Sequence, residues 1–480
     1  MTLAASSWER DIPGPARAPI IGQLPLLLRF AKDHLATLQS LQQKYGNVIR
    51  LGDEKYPAVI VFGPEYNRQI LRDPSAFYSY DFDLLPLPVS RDSSLAHVTN
   101  GMPLMNGPRH NDHRSALLPY FHRLFITRYH DACIRVTEQK ISTWRVGQKI
   151  RLRSEMEQLA MWLATAPVLG LDPQKDGERV GRQLERLMSM LFNPLAILFP
   201  YDIPGLPFHR LLKHGEDMEK VVRKVIECKR QQGIDGNDIL SAMLRIHDED
   251  PARLSERELI GHTTTMFRGG YNPNGMVLYW SIFLLTQHPE ILKNVLAELN
   301  SVLHGENPTN PQLDELNLLE GVIKETMRLF PAGTWTARRA MKPFELEGHC
   351  LPEGTWVIMS PYITQRMPEI FPQPHKFVPA RWASIHPSAY EFMPFSAGPR
   401  YCIGSALGIM QLKIALSILL QRFSFTHEDG LKVDCVGLNA IRPQNRLPVT
   451  LQAAGEISPK LRADGNVERI VDLTADQEFL

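Results

Sequence analysis

Residues Phe395–Gly404 read FSAGPRYCIG and run directly into GSALGIMQLKIALSILLQRF, which ends at Phe423. The second stretch has the alternation of an amphipathic helix, and that places Cys402 at the helix N-terminus. There, unpaired backbone N–H groups and the positive end of the helix dipole favour an anionic sulfur. Gly398 and Gly404 allow the backbone to approach closely, or to take positive φ, beside something flat and bulky. An arbitrary cysteine is most often a buried, inert thiol, but a loop of this composition suits a thiolate ligand.

The rest of the chain excludes several classes. Of its 480 residues 44% are hydrophobic, enough for a large core. Lys and Arg number 53 against 52 Asp and Glu, a formal net charge of +1, so no overall field favours a polyanionic partner such as nucleic acid. The five cysteines, Cys133, Cys228, Cys350, Cys402 and Cys435, form no CxxC pair, which argues against a disulfide framework or a zinc site and fits a reducing cytosol. The opening MTLAASSWERDIPGPARAPIIGQLPLLLRF holds no spanning apolar run and no basic n-region, so a cytoplasmic protein without a membrane anchor is expected. No linker or repeat divides the chain. One domain is therefore expected over 1–457, with 458–480 as a charged tail on the surface.

Periodicity predicts a mainly α body with a smaller β part (α+β). GNVIRLGD and YPAVIVFG read as a strand pair, and FELEGHCLPEGTWVIMS and RLPVTLQ as later strands. Helices are expected near 65–73, 112–130, 134–144, 155–170, 178–195 and 217–231, and from 236 onward. Residues 80–105, with their prolines and Ser/Asp clusters, read as a binding loop. Ser255 and Glu258 have the spacing of a capping box, and Pro289 ends the pattern. Residues 256–287 are thus one helix of about 48 Å at 1.5 Å per residue, buried in its second half.

The spacing Phe-x-x-Gly-x-Arg-x-Cys-x-Gly at Phe395, Gly398, Arg400, Cys402 and Gly404 resembles the haem-binding signature of the cytochrome P450 family. The likeness continues through the chain in the family's order. It includes PGP at Pro13–Pro15, GPRHNDHRSALLPYF from Gly107, KETMRLFP around Glu325 and Arg328, and FVPARW with Arg381. The resemblance implies a long helix crossing a buried haem b, with Cys402 as axial ligand to iron. His110 and Arg114, four residues apart on one helix face, would clamp the propionates together with Arg338 and Arg400. Phe395 and Gly404 complete the cofactor loop. Arg339 is adjacent to Arg338, and either could face inward. Glu325, Arg328 and Arg381 would form a buried structural cluster holding that loop, where an unrelated sequence would show only a surface ion pair.

One stretch departs from the family. In RGGYNPNGMVLYW, Arg268–Trp280, the family's small-Gly-x-acid-Thr-Thr is replaced by Gly269, Gly270, Tyr271, Asn272, Pro273 and Asn274. Pro273 has no N–H for the Gly269 carbonyl, so the helix is expected to open or kink there. Asn272 and Asn274 hydrogen-bond but do not titrate, so the usual side-chain proton relay is missing from this distal wall.

Ordered water or a group on the substrate would then carry protons, or the enzyme would use hydrogen peroxide, or rearrange or dehydrate its substrate. Relatives that use peroxide on fatty acids carry an Arg-Pro pair here. This chain has Asn272-Pro273, and its Arg268 lies well round the helix from Pro273. The expected function is a haem-thiolate monooxygenase acting on a small organic, secondary-metabolite-like substrate, with walls from 80–105 and MLFNPLAILFPYDIPGLPF. Electrons would come from a separate ferredoxin or reductase. A non-catalytic haem sensor is the alternative outside enzymology.

Overall fold

The Ser255 side chain accepts from the Glu258 N–H, and the Glu258 carboxylate accepts from the Ser255 N–H at 2.9 Å, so the longest helix starts where its capping box says. In this computed structural model, which describes residues 8–16, 23–53, 55–79, 88–191, 193–234, 236–457 and 461–473, that central helix runs Glu256–Gln287. From Gly275 to Leu285 every residue is buried. The helix Leu152–Leu169 packs along it, closely enough that a Cβ at Gly275 would lie 3.2 Å from the Glu157 Cα. Gln287 is followed by His288 and Pro289, which opens the next helix.

The β part is a five-stranded sheet of β1 (Val48–Arg50), β2 (Ala58–Val61), β3 (Phe77–Ser79), β4 (Thr336–Ala340) and β5 (Trp356–Met359) in the order β1-β2-β5-β4-β3. β2 and β5 run parallel, and the other neighbours antiparallel. A second sheet sets Pro448–Ala453 between Lys149–Arg151 and Phe423–Thr426. The fold is mainly α with a small β part, as expected.

Four expectations need correction. The helix expected at 112–130 is Gly107–Leu117, followed by a 3-10 turn Leu118–Phe121 and a short helix Arg123–Ile126, because Pro119 cannot continue the first one. Of the loop at 80–105, residues 80–87 lie outside the described residues. The remainder holds a helix, Ser94–Thr99, capped by the Ser93 side chain. The central helix stays α-helical through Pro273, so the expected opening does not occur: one hydrogen bond is lost while the surrounding packing holds the backbone. Finally, residues 461–473 are not a surface appendage. Val467, Ile470, Val471 and Leu473 join the main core, and Ala463–Asp464 pairs with Leu431–Lys432, because a few apolar side chains outweigh the local charge.

Candidate active site

The cysteine loop is shaped by two left-handed residues, Ser396 at φ 61 and Gly398 at φ 69. A Cβ at Gly398 would lie 2.2 Å from the Leu71 carbonyl oxygen, so both conformation and space demand glycine there. Gly404 is different: its φ is −90, and an added Cβ would only touch the Phe121 ring at 3.7 Å. It caps the helix Ser405–Arg422 instead. The Cys402 N–H donates to the Phe395 carbonyl at 2.9 Å, closing the loop. Burial pushes the Cys402 thiol up, while the Gly404 N–H donated to it, and Arg114, pull the other way. Yet Cys402 is exposed. A side chain that has accessible surface and is deep among protein atoms faces an internal cleft rather than bulk water. Coordination to a cation would deprotonate such a thiol outright.

Basic side chains converge near this loop. Strand parity makes the choice between Arg338 and Arg339: Arg338 is 8% exposed and Arg339 points out. Among the described residues Arg338 donates only to the Ala337 carbonyl at 2.8 Å and the Thr336 hydroxyl at 3.2 Å. Arg114 donates to the Tyr401 carbonyl at 2.7 Å, and Arg400 to the Ser79 hydroxyl and the Met105 carbonyl. Burial pulls Arg338 down to about 10, and burial together with Arg338 and Arg114 does the same to Arg400. His110 is lowered by burial and then by Arg400, so it is a neutral N–H donor. Among the described residues no carboxylate pairs with any of the four. A buried cation, Arg338, beside two half-buried ones, Arg114 and Arg400, with no carboxylate against them among the described residues, constitutes a site for a multiply charged anion. The two propionates of a haem, whose iron would meet Cys402, fit it.

On the facing wall, Gly269 is exposed and a Cβ there would meet nothing within 4 Å, whereas one at Gly270 would lie 3.3 Å from Ala164. Asn272 accepts from Arg442 Nη2 at 3.3 Å. Asn274, expected to face the pocket, is instead buried: it donates to Gln411 at 2.9 Å, and Gln411 donates to the Leu163 carbonyl at 2.8 Å. It ties the central helix to the helix that follows Cys402. Two histidines that the sequence reading passed over do similar work. Met102 N–H donates to His262 Nδ1 at 3.0 Å, His262 Nε2 meets His113 Nδ1 at 2.7 Å, and His113 Nε2 meets the Arg253 carbonyl at 2.9 Å. Only a neutral pair satisfies that relay.

Glu325 and Arg328 are fully buried, with Arg328 Nη2 and Nε donating at 2.8 and 2.9 Å. Arg381 Nε at 3.0 Å, Val378 N–H and Trp382 Nε1, both at 3.1 Å, complete the carboxylate's partners. Burial opposes ionisation of Glu325, but Arg328 and Arg381 more than reverse it and hold the carboxyl below its usual range. Arg328 also donates to the Gln365 carbonyl at 3.0 Å, and the Gln365 side chain accepts from the Met393 N–H at 3.0 Å, two residues before Phe395.

Comparison with known proteins agrees with this geometry. The chain is 28% identical over 441 residues to the cyclooctat-9-en-7-ol 5-monooxygenase of Streptomyces melanosporofaciens, covering 88% of this chain and 92% of that one. It is 25% identical over 446 residues to the pentalenene oxygenase of Streptomyces avermitilis, covering 92% and 96%. Retinoic acid-bound cyanobacterial CYP120A1 has the same fold, with a TM-score of 0.79 and 21% identity over 92% of this chain and 99% of that one. The cytochrome P450 family pattern matches residues 12–445. With the cysteine loop, the cation cluster and the crossing helix in that order, the chain belongs to the cytochrome P450 family, a haem-thiolate monooxygenase.

Proposed function

We propose that the enzyme oxidises a small organic, secondary-metabolite-like molecule on haem b, with two electrons from a separate ferredoxin or reductase. One oxygen atom of dioxygen enters a C–H bond, and the other leaves as water with two protons. The observation that carries this reading is the Cys402 thiol, held by the Gly404 N–H and accompanied by buried Arg338 and half-buried Arg400, which have no carboxylate partner among the described residues. The relatives that act on cyclooctatenol and pentalenene support the substrate class.

When bound, the haem supplies O–O cleavage and oxidation of unactivated carbon, favoured by electron donation from an anionic sulfur. The protein's share is positional. Cys402 is the iron ligand, and the Gly404 N–H stabilises its charge. Arg114, Arg338 and Arg400 bind the propionates, with His110 donating an N–H. Glu325, Arg328 and Arg381 hold the cysteine loop through Gln365 and Met393. Gly269 leaves room on the distal wall, and its carbonyl, which Pro273 cannot bond, is free to hold a water. Asn272 can orient that water but not ionise, so protons arrive through ordered water or from a group on the substrate.

The ferrous carbon monoxide complex of wild type should show the red-shifted Soret band of thiolate ligation. Cys402→Ser should lose it, and a serine protein that keeps the band overturns the assignment. Hydrogen peroxide is the second reading, favoured by the absence of a titrating group at residues 272–274. Turnover with reductase and dioxygen is expected; turnover with peroxide alone replaces the first reading by the second.

A further inference from the structure

The His113–His262 relay ends on the rim of the cation site, and its protons can be placed. The Met102 N–H can only donate, so His262 Nδ1, at 3.0 Å, is an acceptor. The proton of that neutral ring therefore sits on Nε2, which donates to His113 Nδ1 at 2.7 Å. His113 in turn carries its proton on Nε2 and donates to the Arg253 carbonyl at 2.9 Å. A single arrangement of protons satisfies all three bonds.

Residues 101–106, the turn that this relay holds, surround Arg400. The Pro103 and Met105 carbonyls accept from its guanidinium, Pro103 at 3.3 Å. Asn106 exchanges two bonds with the Ser79 backbone at 2.8 and 3.3 Å, and the Ser79 hydroxyl also accepts from Arg400. Gly101 lies so close on the central helix that a Cβ there would collide with Thr265. The turn is thus pinned to the central helix, to β3 and to the cysteine loop at once. It leads into the helix Gly107–Leu117, which carries His113 between His110 and Arg114 of the cation site.

We propose that His262 is a positioning residue for the cofactor: with His113 it fixes the 101–106 turn that aims Arg400 at the propionates, and protonation of the pair releases that turn and loosens the haem. The inference rests on the haem-thiolate reading and adds a residue that serves it. A proton on His262 Nδ1 removes the acceptor of the Met102 N–H, and one on His113 Nδ1 sets two N–H groups against each other. Either leaves a buried donor unpaired.

The charged groups around the pair are already engaged. Glu258, whose carboxylate is 3.9 Å from His113 Nε2, is bonded to Arg109, and Asp112 is bonded to Arg253. On neighbouring helices, His97 pairs with Glu219 at 3.3 Å and His247 with the Leu254 carbonyl at 2.7 Å. His110, lowered by burial and by Arg400, also lies in the field of His113. Burial keeps both relay rings below the ordinary histidine range, so they are neutral while the turn is closed. Once it opens, the rings regain solvent and bind protons below about pH 6.5, so haem release speeds up as pH falls through that value.

Haem transfer from the loaded ferric protein to a haem-free globin is followed between pH 7 and 5.5, with the melting temperature of each haem-free variant read alongside. The Oδ1 of His262→Asn can replace Nδ1 toward the Met102 N–H but cannot titrate. That variant should release haem within about threefold of wild type at pH 7, and its rate should rise at least about fivefold less across the window. His262→Leu, which cannot accept, should release haem about tenfold or more faster at pH 7, the scale of leaving a buried N–H unsatisfied. Contributions from His110, Cys402 and the propionates are common to all these proteins and cancel in the comparison. His113→Gln leaves the Met102–His262 bond in place and should flatten the profile by at least about twofold, so it stands in if the His262 variants fail to fold.

A His262→Asn profile as steep as wild type, or His262→Asn releasing haem as fast as His262→Leu at pH 7, overturns the inference. So does a lowered melting temperature with haem release unchanged, which marks the relay as structural only. A wild-type protein that takes up no haem sinks the haem-thiolate reading instead.

Discussion

At the scale of single residues, Arg338 shows how one position carries opposite energetic signs in two states. It is a buried cation beside Arg400, with a carbonyl and a hydroxyl as its only acceptors among the described residues. Under the proposed assignment it destabilises the protein without haem and binds the propionates once haem is in place. Arg338→Leu should therefore raise the melting temperature of the haem-free protein, by roughly 1–3 kcal/mol of stability, while weakening haem retention about tenfold or more. Differential scanning of the haem-free protein and haem transfer to an acceptor check the two halves. The motif made Cys402 legible, and with it Arg400, because the loop is contiguous. It could not choose between Arg338 and Arg339, since that depends on which face of β4 meets Val357 of β5 and Ser79 of β3. Asn274 was misjudged for a related reason: its partner, Gln411, is 137 residues away.

At the scale of elements, the central helix was readable to its ends because its capping box and Pro289 are local signals. Its attachment to the Gly107–Leu117 helix was not, because that depends on the His113–His262 pair. Burial lowers both histidines; Glu258 favours the charged form of His113, and burial and Arg109 outweigh it. The sign follows. Both are neutral in the fold, and the unfolded chain binds more protons as pH drops below about 6.5. Their contribution is complete above that pH and is lost as pH falls toward the folded values, by up to about 1.4 kcal/mol per pH unit for each histidine. Wild type should therefore lose urea resistance between pH 7 and 5, and His262→Gln should show a shallower slope over that window. Equal slopes would remove the pair as the cause. Glu258, held at about 2, stays ionised throughout the window and does not contribute to the difference.

At the scale of the molecule, residues 461–473 complete the core rather than trail from it. Ile470 is 2% exposed and Val471 fully buried, and the Asp472 N–H donates to the His375 carbonyl at 2.8 Å. The Ile470 carbonyl accepts from Arg366 at 3.3 Å, and Arg366 in turn donates to the Arg328 carbonyl at 3.4 Å, next to the Glu325 cluster. Ile470→Ala should cost about 2–4 kcal/mol in urea denaturation, as for other buried large-to-small changes. A cost under about 0.5 kcal/mol, the level of a surface site, would return this segment to the surface.

Sequence by itself determined the proposed iron ligand, the loop that presents it, the limits of the crossing helix and the Glu325–Arg328 pair. Each is written in residues a few positions apart, where turn geometry and helical periodicity act directly. Tertiary structure alone decided that Arg338 and not Arg339 turns inward, that Asn274 braces two helices, and that residues 461–473 are core. Those depend on desolvation and on partners a hundred or more residues away, and no local pattern encodes how deeply a charge will lie or what will stand opposite it.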